Sequence, residues 1–487
     1  MLNTPERRDA RPGLSGYYFL EGLNSLGTNI FFLGIFFHAR LNHDFSDGAN
    51  LMLAAAQGGT YVLATRAGGR FADRAGAERS IALGLAGMCL SLIAGWLLPQ
   101  ATALFATIAL YSAFTALTWP ALEAAIARAP GRTSLARRAG LYNVIWSITG
   151  ATGFFFSGSL FTLDADAVFW VPLAAHALML GGLAATTLSS LRTRPSGALA
   201  ESGLHGKGSS RDREHEVTLD VSAQVEGVAR SGGLQRADRR EQGRKCQRGY
   251  CGTRSDRGPN EPVSSAMVHP REALPRTGES EGGAQRQDPE GNVYALQHRM
   301  RARYLLSARI ANGLGYFLFG AFAALAPTIG EGLGLGARLS IWLVSTYLFA
   351  RAAVFLVFWR WEGWEYRPGW VAAALASSPP ALAATLLAPS ATVVVAALAL
   401  LGASSGIAYS ASLHASLDRE GGEGEGGGLH EWVIGLGVLL GPLAGAAGAG
   451  LFGGPAGAGG LVTALGAAAA LAGLIPLARR PRRSREA

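Results

Sequence analysis

Lysine is almost missing from this chain: only Lys207 and Lys245 occur, so Arg carries the basic load, a bias we read as one of coding rather than function. Cysteine is nearly as scarce. Cys89 falls in an apolar run and Cys246 and Cys251 in a polar one, and a lone Cys pair without a second Cys or His pair does not make a zinc site, so all three read as free thiols. There is no Walker pattern, no HExxH and no serine elbow, which removes the common signatures of ATP-driven transport and of enzymes. The Gly-rich run Gly421 to Gly428 lacks the Lys and Ser or Thr of a phosphate loop and reads as a flexible connector. No cofactor and no metal are expected.

What remains is apolar and unevenly divided. The 487 residues are 49% hydrophobic and 16% charged, with mean hydropathy +0.22. From Arg192 to Ala302, however, 111 residues hold 19 Lys and Arg and 15 Asp and Glu with almost no apolar clustering, so the rest is more membrane-like than the average suggests. The polar stretch cannot bury enough apolar surface to fold alone and is expected to be disordered. The net charge of +9 does not point to nucleic acid, because the basic residues flank apolar spans instead of sharing one soluble face.

A helix needs about 20 apolar residues to cross hydrocarbon. Runs of that kind predict spans near 14–37, 47–67, 80–98, 101–127, 136–161 and 166–190, then 304–328, 338–359, 369–388, 390–416, 429–452 and 457–478. The first is long enough to span and lacks a small-residue cleavage pattern, so no cleaved leader is expected. Arg66, Arg70, Arg74 and Arg79, Arg128, Arg132, Arg137 and Arg138, Arg360 and Arg367, and the Arg-rich tail lie between spans on one side, while the other side carries little beyond Arg40 and Arg338. Positive charge stays inside, which predicts both termini and the linker in the cytoplasm of a cell in whose inner membrane the chain sits.

Two local matches recur at one offset. Asn24, Ser25, Leu26 and Gly27 return as Asn312, Gly313, Leu314 and Gly315, and Gly140 and Leu141 return as Gly428 and Leu429, both 288 residues on. Equivalent places in two six-span halves imply a duplicated bundle. The fold class is therefore an all-α membrane protein with twelve transmembrane helices in two six-helix pseudo-repeat bundles. The segments are a tail 1–13, a bundle 14–191, a linker 192–302, a bundle 303–478 and a basic tail 479–487.

Between spans 2 and 3 lies a charged, Gly-punctuated stretch, Gly68 to Ser80, read as a surface loop. Its Gly69, Arg70, Phe71, Ala72, Asp73, Arg74, Ala75 and Gly76 resemble the signature loop of the major facilitator superfamily, departing only at Ala77 and Glu78, where the family has two basic residues. The resemblance implies parallel duplicated halves with a binding site between them near the midplane. It also implies a conformational latch in which Asp73 holds the cytoplasmic end of span 11, with Arg74 bracing neighbouring loops and Gly69, Gly76 and Glu431 completing the set. Many proton-driven members carry an Arg in helix 4; Ala116 to Ala127 here has none. The place corresponding to the signature in the second half, Trp359 to Trp370, reads instead as an interfacial aromatic belt.

Polar groups inside spans cost about 2.5 to 3.5 kcal/mol on insertion scales, so each needs a partner or a wet cavity. Glu21, Asn24, Ser25 and Thr28 share one face of span 1; Arg309, Asn312, Gly313 and Tyr316 share one face of span 7, with Glu21 and Arg309 related by the repeat. Two readings stand for that pair: a charge pair at a central cavity, or two side chains snorkelling to water. A second group gathers Trp119, Glu123, Tyr142, Asn143, Tyr409, His414, His430 and Glu431, in which Glu123 and His414 could relay protons and Glu431 reads better as complementing the start of span 11. Substrate binding is thus expected at Glu21, Asn24, Thr28, Trp119, Arg309, Asn312, Tyr316 and Tyr409, and proton coupling at Glu21, Glu123 and His414. Gly437, Gly441 and Gly445 with Pro442 read as close packing in span 11.

These readings converge on a monomeric secondary transporter of a small molecule in a lipid bilayer, without nucleic acid and without enzymatic activity. The rival is a transporter-shaped receptor or scaffold that uses the long linker. Deleting the linker separates them: transport is expected to survive, whereas lost signalling from a chain that never transports would favour the rival.

Overall fold

The computed structural model describes residues 13–98, 100–128, 135–192, 289–387, 390–419 and 423–478. Most of the expected linker, residues 1–12 of the first tail and all of the tail 479–487 lie outside them. Twelve α-helices appear among the described residues: α1 Leu14–Asn42, α2 Asp47–Ala75, α3 Ala77–Leu97, α4 Ala101–Arg128, α5 Leu135–Leu163, α6 Ala167–Arg192, α7 Pro289–Gly332, α8 Ala337–Arg360, α9 Pro368–Leu386, α10 Ala391–Arg419, α11 Glu423–Phe452 and α12 Gly454–Ala478. Ten are long and apolar enough to cross a membrane; α2 and α9 take their places through the fold. The starts of α8 to α12 each fall within three residues of their first-half counterparts moved by 288, so the repeat is structural as well as local.

Helix ends follow local chemistry. The Ser46 hydroxyl accepts from the Ala49 N–H at 3.2 Å and caps α2. Asp164 accepts from the Asp166 N–H at 2.9 Å and the Trp170 indole at 2.8 Å, fixing the turn into α6. Those donors, the indole first, hold its carboxyl below the usual carboxylate range.

Three expectations need correction. The stretch Gly68 to Ser80 is not a loop: α2 continues to Ala75, and the single residue Gly76, at φ 94°, breaks it before α3. Ala and Arg are strong helix formers, so charged turns can carry a helix beyond the hydrocarbon, and only the left-handed backbone at Gly76 ends it. The Gly-rich connector is helical from Glu423, where α11 begins. The region Trp359 to Trp370 is only partly a surface belt. Trp361 is exposed, but Trp364 is buried in a 3₁₀ turn, Glu362–Trp364, stacks on Phe358 at 4.5 Å and donates to the Phe358 carbonyl at 3.1 Å.

α7 also begins earlier than its apolar run. Its 44 residues span about 66 Å at 1.5 Å per residue, far more than the roughly 30 Å of hydrocarbon. Its polar first turns are braced: Arg301 donates to Asp418 at 3.0 Å and lies 5.0 Å from the Tyr366 ring centre, and Tyr366 donates to the same carboxylate.

The two halves meet chiefly along α2 with α11 and α5 with α8. Call the face holding the start of α1 the basic face. There Tyr17 donates to Glu78 at 2.6 Å and Tyr18 to the Arg138 carbonyl at 3.2 Å, both within the first half. On the opposite face the halves are tied together: Arg40 grips Glu331 with two hydrogen bonds of 2.9 and 3.2 Å, and Thr328 donates to Asp47. Phe155 stacks on Trp342 at 4.9 Å nearby.

Close approach of α11 to its neighbours depends on missing side chains. A Cβ on Gly58 would collide with the backbone of Val438 and Leu439, and one on Gly441 with the Phe317 carbonyl. Gly441→Leu is expected to lower the thermal midpoint of the purified protein, at a cost of about 1–3 kcal/mol for overpacking. Gly450→Leu meets open space and is expected to stay within about 0.5 kcal/mol of wild type.

Candidate functional site

Charge inside the bundle is concentrated in one layer. Among the described residues, Glu21 of α1, Arg351 of α8 and Glu431 of α11 are the carboxylates and guanidinium that the fold buries completely or nearly so. Glu123 of α4 joins them: its stem is partly accessible, but its Oε2 is sealed without a hydrogen-bond partner. Glu123 lies within electrostatic reach of both Glu21 and Glu431 and within hydrogen-bonding reach of the latter, so three carboxyls from three helices converge.

Hydroxyls hold this layer in place. Tyr61 of α2 donates to Glu431 Oε2 at 2.5 Å, and Tyr409 of α10 donates a longer bond of 3.4 Å to Glu123 Oε1. Neither Glu21 oxygen has a partner; the Trp119 indole lies beside it without a normal hydrogen bond. His430, one residue before Glu431, meets the Ser412 hydroxyl at 3.1 Å through Nδ1 and sits edge-on to Tyr409 at 4.7 Å.

Arg351 occupies the other side. Its guanidinium lies 4.3 Å from the Trp146 ring centre, 4.9 Å from Tyr409, 5.0 Å from Tyr316 and 5.4 Å from Phe355, and its Nη2 donates to the Tyr316 hydroxyl at 2.6 Å. Trp146 and Tyr409 stack at 5.5 Å and 16°. Such faces attract a cation through the ring quadrupole, which offsets part of its desolvation. A cavity of about 90 Å³ opens beside this cluster, walled by Phe32, Gln57, Tyr61, Trp119, Trp146 and Arg351 among others.

Two clefts reach in from the basic face. One, about 530 Å³, separates Arg66, Arg70 and Asp73 of α2 from Leu429 and Trp432 of α11. The other, about 250 Å³, runs between α5 and α8 with α10, past Arg137, Asn143, Trp359 and His414.

The residues singled out from sequence distribute unevenly. Trp119 and Tyr316 line the cavity, and Tyr409 stands against it in the aromatic cage. Asn24 donates a long bond to Thr118 at 3.5 Å, and Thr28 accepts from Tyr111, which contacts His176, so both point into the first bundle. Asn312 is buried with its amide unpartnered. Arg309 reaches Ser416 at 3.3 Å, while Glu21 has no hydrogen-bond partner; the two do not form the pair the repeat suggested. His414 lies at the α8–α10 cleft beside Glu365 at 3.7 Å, away from Glu123. Asp73 is exposed and 4.0 Å from Arg128 of its own half, across the α2–α11 cleft from Gly428, with Gly69 in the same wall. Arg74 is exposed as well. Glu431 is not in the first turn of its helix: α11 starts eight residues earlier, and the carboxyl bonds Tyr61 instead of complementing a helix end.

Residues 18–225 match the family model of the Major Facilitator Superfamily. Those residues take in the first six helices, and over them the chain is similar to that superfamily. Solved structures of the same fold include the peptide transporter POT in complex with sulfate, at 15% identity with 96% of this chain and 94% of that one covered and a TM-score of 0.59. The human organic anion transporter MFSD10 is similar at 15% identity, 97% and 100% coverage and a TM-score of 0.54. The nucleoside transporter NupG is similar at 10% identity, 96% and 99% coverage and a TM-score of 0.55. No curated protein matches in sequence. The chain shares the two-bundle fold of these structures: an integral membrane protein with twelve helices among the described residues, ten of them long and apolar enough to cross a membrane.

Sequence reasoning missed Arg351, Tyr61 and Trp146. The rule that flagged Glu21 applies equally to Arg351, the Arg in the middle of span 8, and would have found it. The aromatics carry no comparable signal. Tyr61→Phe is expected to lower the thermal midpoint, since it strips a buried carboxyl of its donor at about 1–3 kcal/mol. Tyr409→Phe removes a longer, weaker bond and is expected to cost less.

Proposed function

We propose that this chain is a secondary transporter that moves a small solute through the central cavity as two six-helix bundles rock about it. One observation carries the reading: carboxyls from both halves, Glu21 and Glu123 from the first and Glu431 from the second, converge behind a cavity walled by both halves. A layer of this kind changes its surroundings whenever the halves move apart, which is the property a coupled carrier requires.

Desolvation and mutual repulsion oppose charging all three carboxyls of this buried layer at once. Proton exchange at Glu123 and Glu431 is therefore the proposed coupling step. Tyr409 reaches from Glu123 into the Arg351 cage, and Tyr61 bridges α2 to Glu431, so gain or loss of a proton alters contacts between the halves. The ties at Arg40–Glu331 and Thr328–Asp47 close the opposite face, and the two clefts on the basic face mark the side that opens. By charge distribution that side is cytoplasmic.

Purified protein in liposomes tests the reading. Wild type is expected to accumulate its solute under an imposed pH gradient and to exchange it without one. Glu123→Gln is expected to lose gradient-driven accumulation by about tenfold or more, about 1.4 kcal/mol, while keeping exchange. Accumulation that persists in both Glu123→Gln and Glu431→Gln would remove protons from the mechanism.

A further inference from the structure

Many charged groups approach the central layer, but they do not face the cavity equally. The three carboxyls sit behind Tyr61, Trp119 and Tyr409, and none of them is part of the cavity wall. Among the described residues, Arg351 is the charged side chain that lines it. The remaining wall is neutral, with Asn29, Gln57 and Ser112 as polar groups and Phe32, Phe154 and Phe319 as apolar ones.

Arg351 is also under-compensated for a structural residue. It is 1% exposed, has Glu431 within electrostatic reach but makes no ion pair with it or with any other described carboxylate, and leaves its Nε–H without an acceptor. A guanidinium offers five N–H donors in a planar fork matched to a carboxylate or phosphate. Here hydroxyl and aromatic neighbours fix the fork from the sides. Tyr316 takes one donor, and Trp146, Tyr409 and Phe355 hold the carbon in place. A buried charge kept by rings and by the phenols of Tyr316 and Tyr347, with a donor unspent and a cavity in front of it, is a recognition element awaiting an anion.

We propose that the central cavity binds a small organic anion, with its carboxylate or equivalent acid group on the Arg351 guanidinium and its apolar body against Trp146 and the phenylalanines of the wall. The inference rests on the reading of this cavity as the solute site and names the class of solute. An organic cation is disfavoured by the same wall, since it would face Arg351 directly and reach a carboxyl only past the tyrosines. A neutral solute would leave the Arg351 donor unmatched.

Three ring compounds of nearly equal shape decide the matter: benzoate, benzyl alcohol and benzylamine, each titrated against full-length protein in detergent at neutral pH. Thermal midpoint and Trp emission are read together, because Trp146 touches the guanidinium. Benzoate is expected to raise the midpoint saturably and to change Trp emission, with benzyl alcohol and benzylamine inert at the same concentration. In Arg351→Lys, which keeps charge but loses the fork, benzoate affinity is expected to fall about tenfold or more. Gln57→Glu leaves the guanidinium intact and adds a carboxylate to the wall; it is expected to abolish the benzoate response, and it serves if Arg351→Lys does not fold. A benzylamine response equal to or larger than that of benzoate overturns the proposal, as does the absence of any benzoate response. Counterflow of labelled benzoate in liposomes keeps the two readings apart. Binding without exchange retains the anion site and defeats the transport reading; movement of an uncharged or cationic solute that benzoate neither inhibits nor shares does the reverse.

Discussion

The rest of the structure is arranged around the cost of unpaired charge between membrane-spanning helices. Glu21, Glu431 and Arg351 are buried where each needs a compensating group, and none finds an ordinary ion pair among the described side chains. What surrounds them is a shell of phenols and indoles, Tyr61, Tyr316, Tyr409, Trp119 and Trp146. These side chains supply a hydrogen bond or a polarised ring face at one end and an apolar body at the other. An all-apolar core would pack more simply, and the polar layer is the costly part of the bundle.

The charge is divided between the halves in an informative way. The first half supplies Glu21 and Glu123, the second Arg351 and Glu431, and the 288-residue repeat does not pair any of them. The scaffold repeats from α2 and α8 onward, helix start for helix start, whereas each half carries its own chemistry. Neither half walls the central cavity alone. The cavity wall alternates between them, from Phe32 and Gln57 to Phe319 and Arg351, so bringing the halves together is what assembles it.

The architecture was legible because hydropathy over twenty residues is a strong signal, and because Arg asymmetry and the 288 offset report on the same arrangement independently. The site was legible in part. Glu21 and Glu123 stand out by their cost, whereas Tyr61 and Trp146 look like any aromatic filling a helix interface, and nothing local distinguishes them. Boundaries failed where tertiary packing overrides local preference. The glycines of Gly421 to Gly428 argued for a connector, yet α11 runs back to Glu423, and that shift moved Glu431 from an imagined helix start into the central layer. Charge at Gly68 to Ser80 argued for a loop, but it lies on α2, and only Gly76 interrupts the helix. Arg309 shows the limit of repeat logic: a matching position in two halves does not imply that the side chains meet.

The glycine contacts of α11 have a mechanical meaning. Gly58 presses on the backbone of Val438 and Leu439, Gly435 lies against Tyr61 and Val62, and Gly441 lies against the Phe317 carbonyl. Interlocked side chains would give that helix a corrugated surface, with an energy barrier at each ridge it had to climb. Backbone against backbone, as at Gly58 and Gly441, is smooth by comparison, so under the proposed rocking α11 would act as a shaft in a plain bearing, closely held in the radial direction and weakly resisted in rotation or sliding. Under that proposal, roughness added there would be felt first as friction, slowing the motion before the resting shape of the molecule changed.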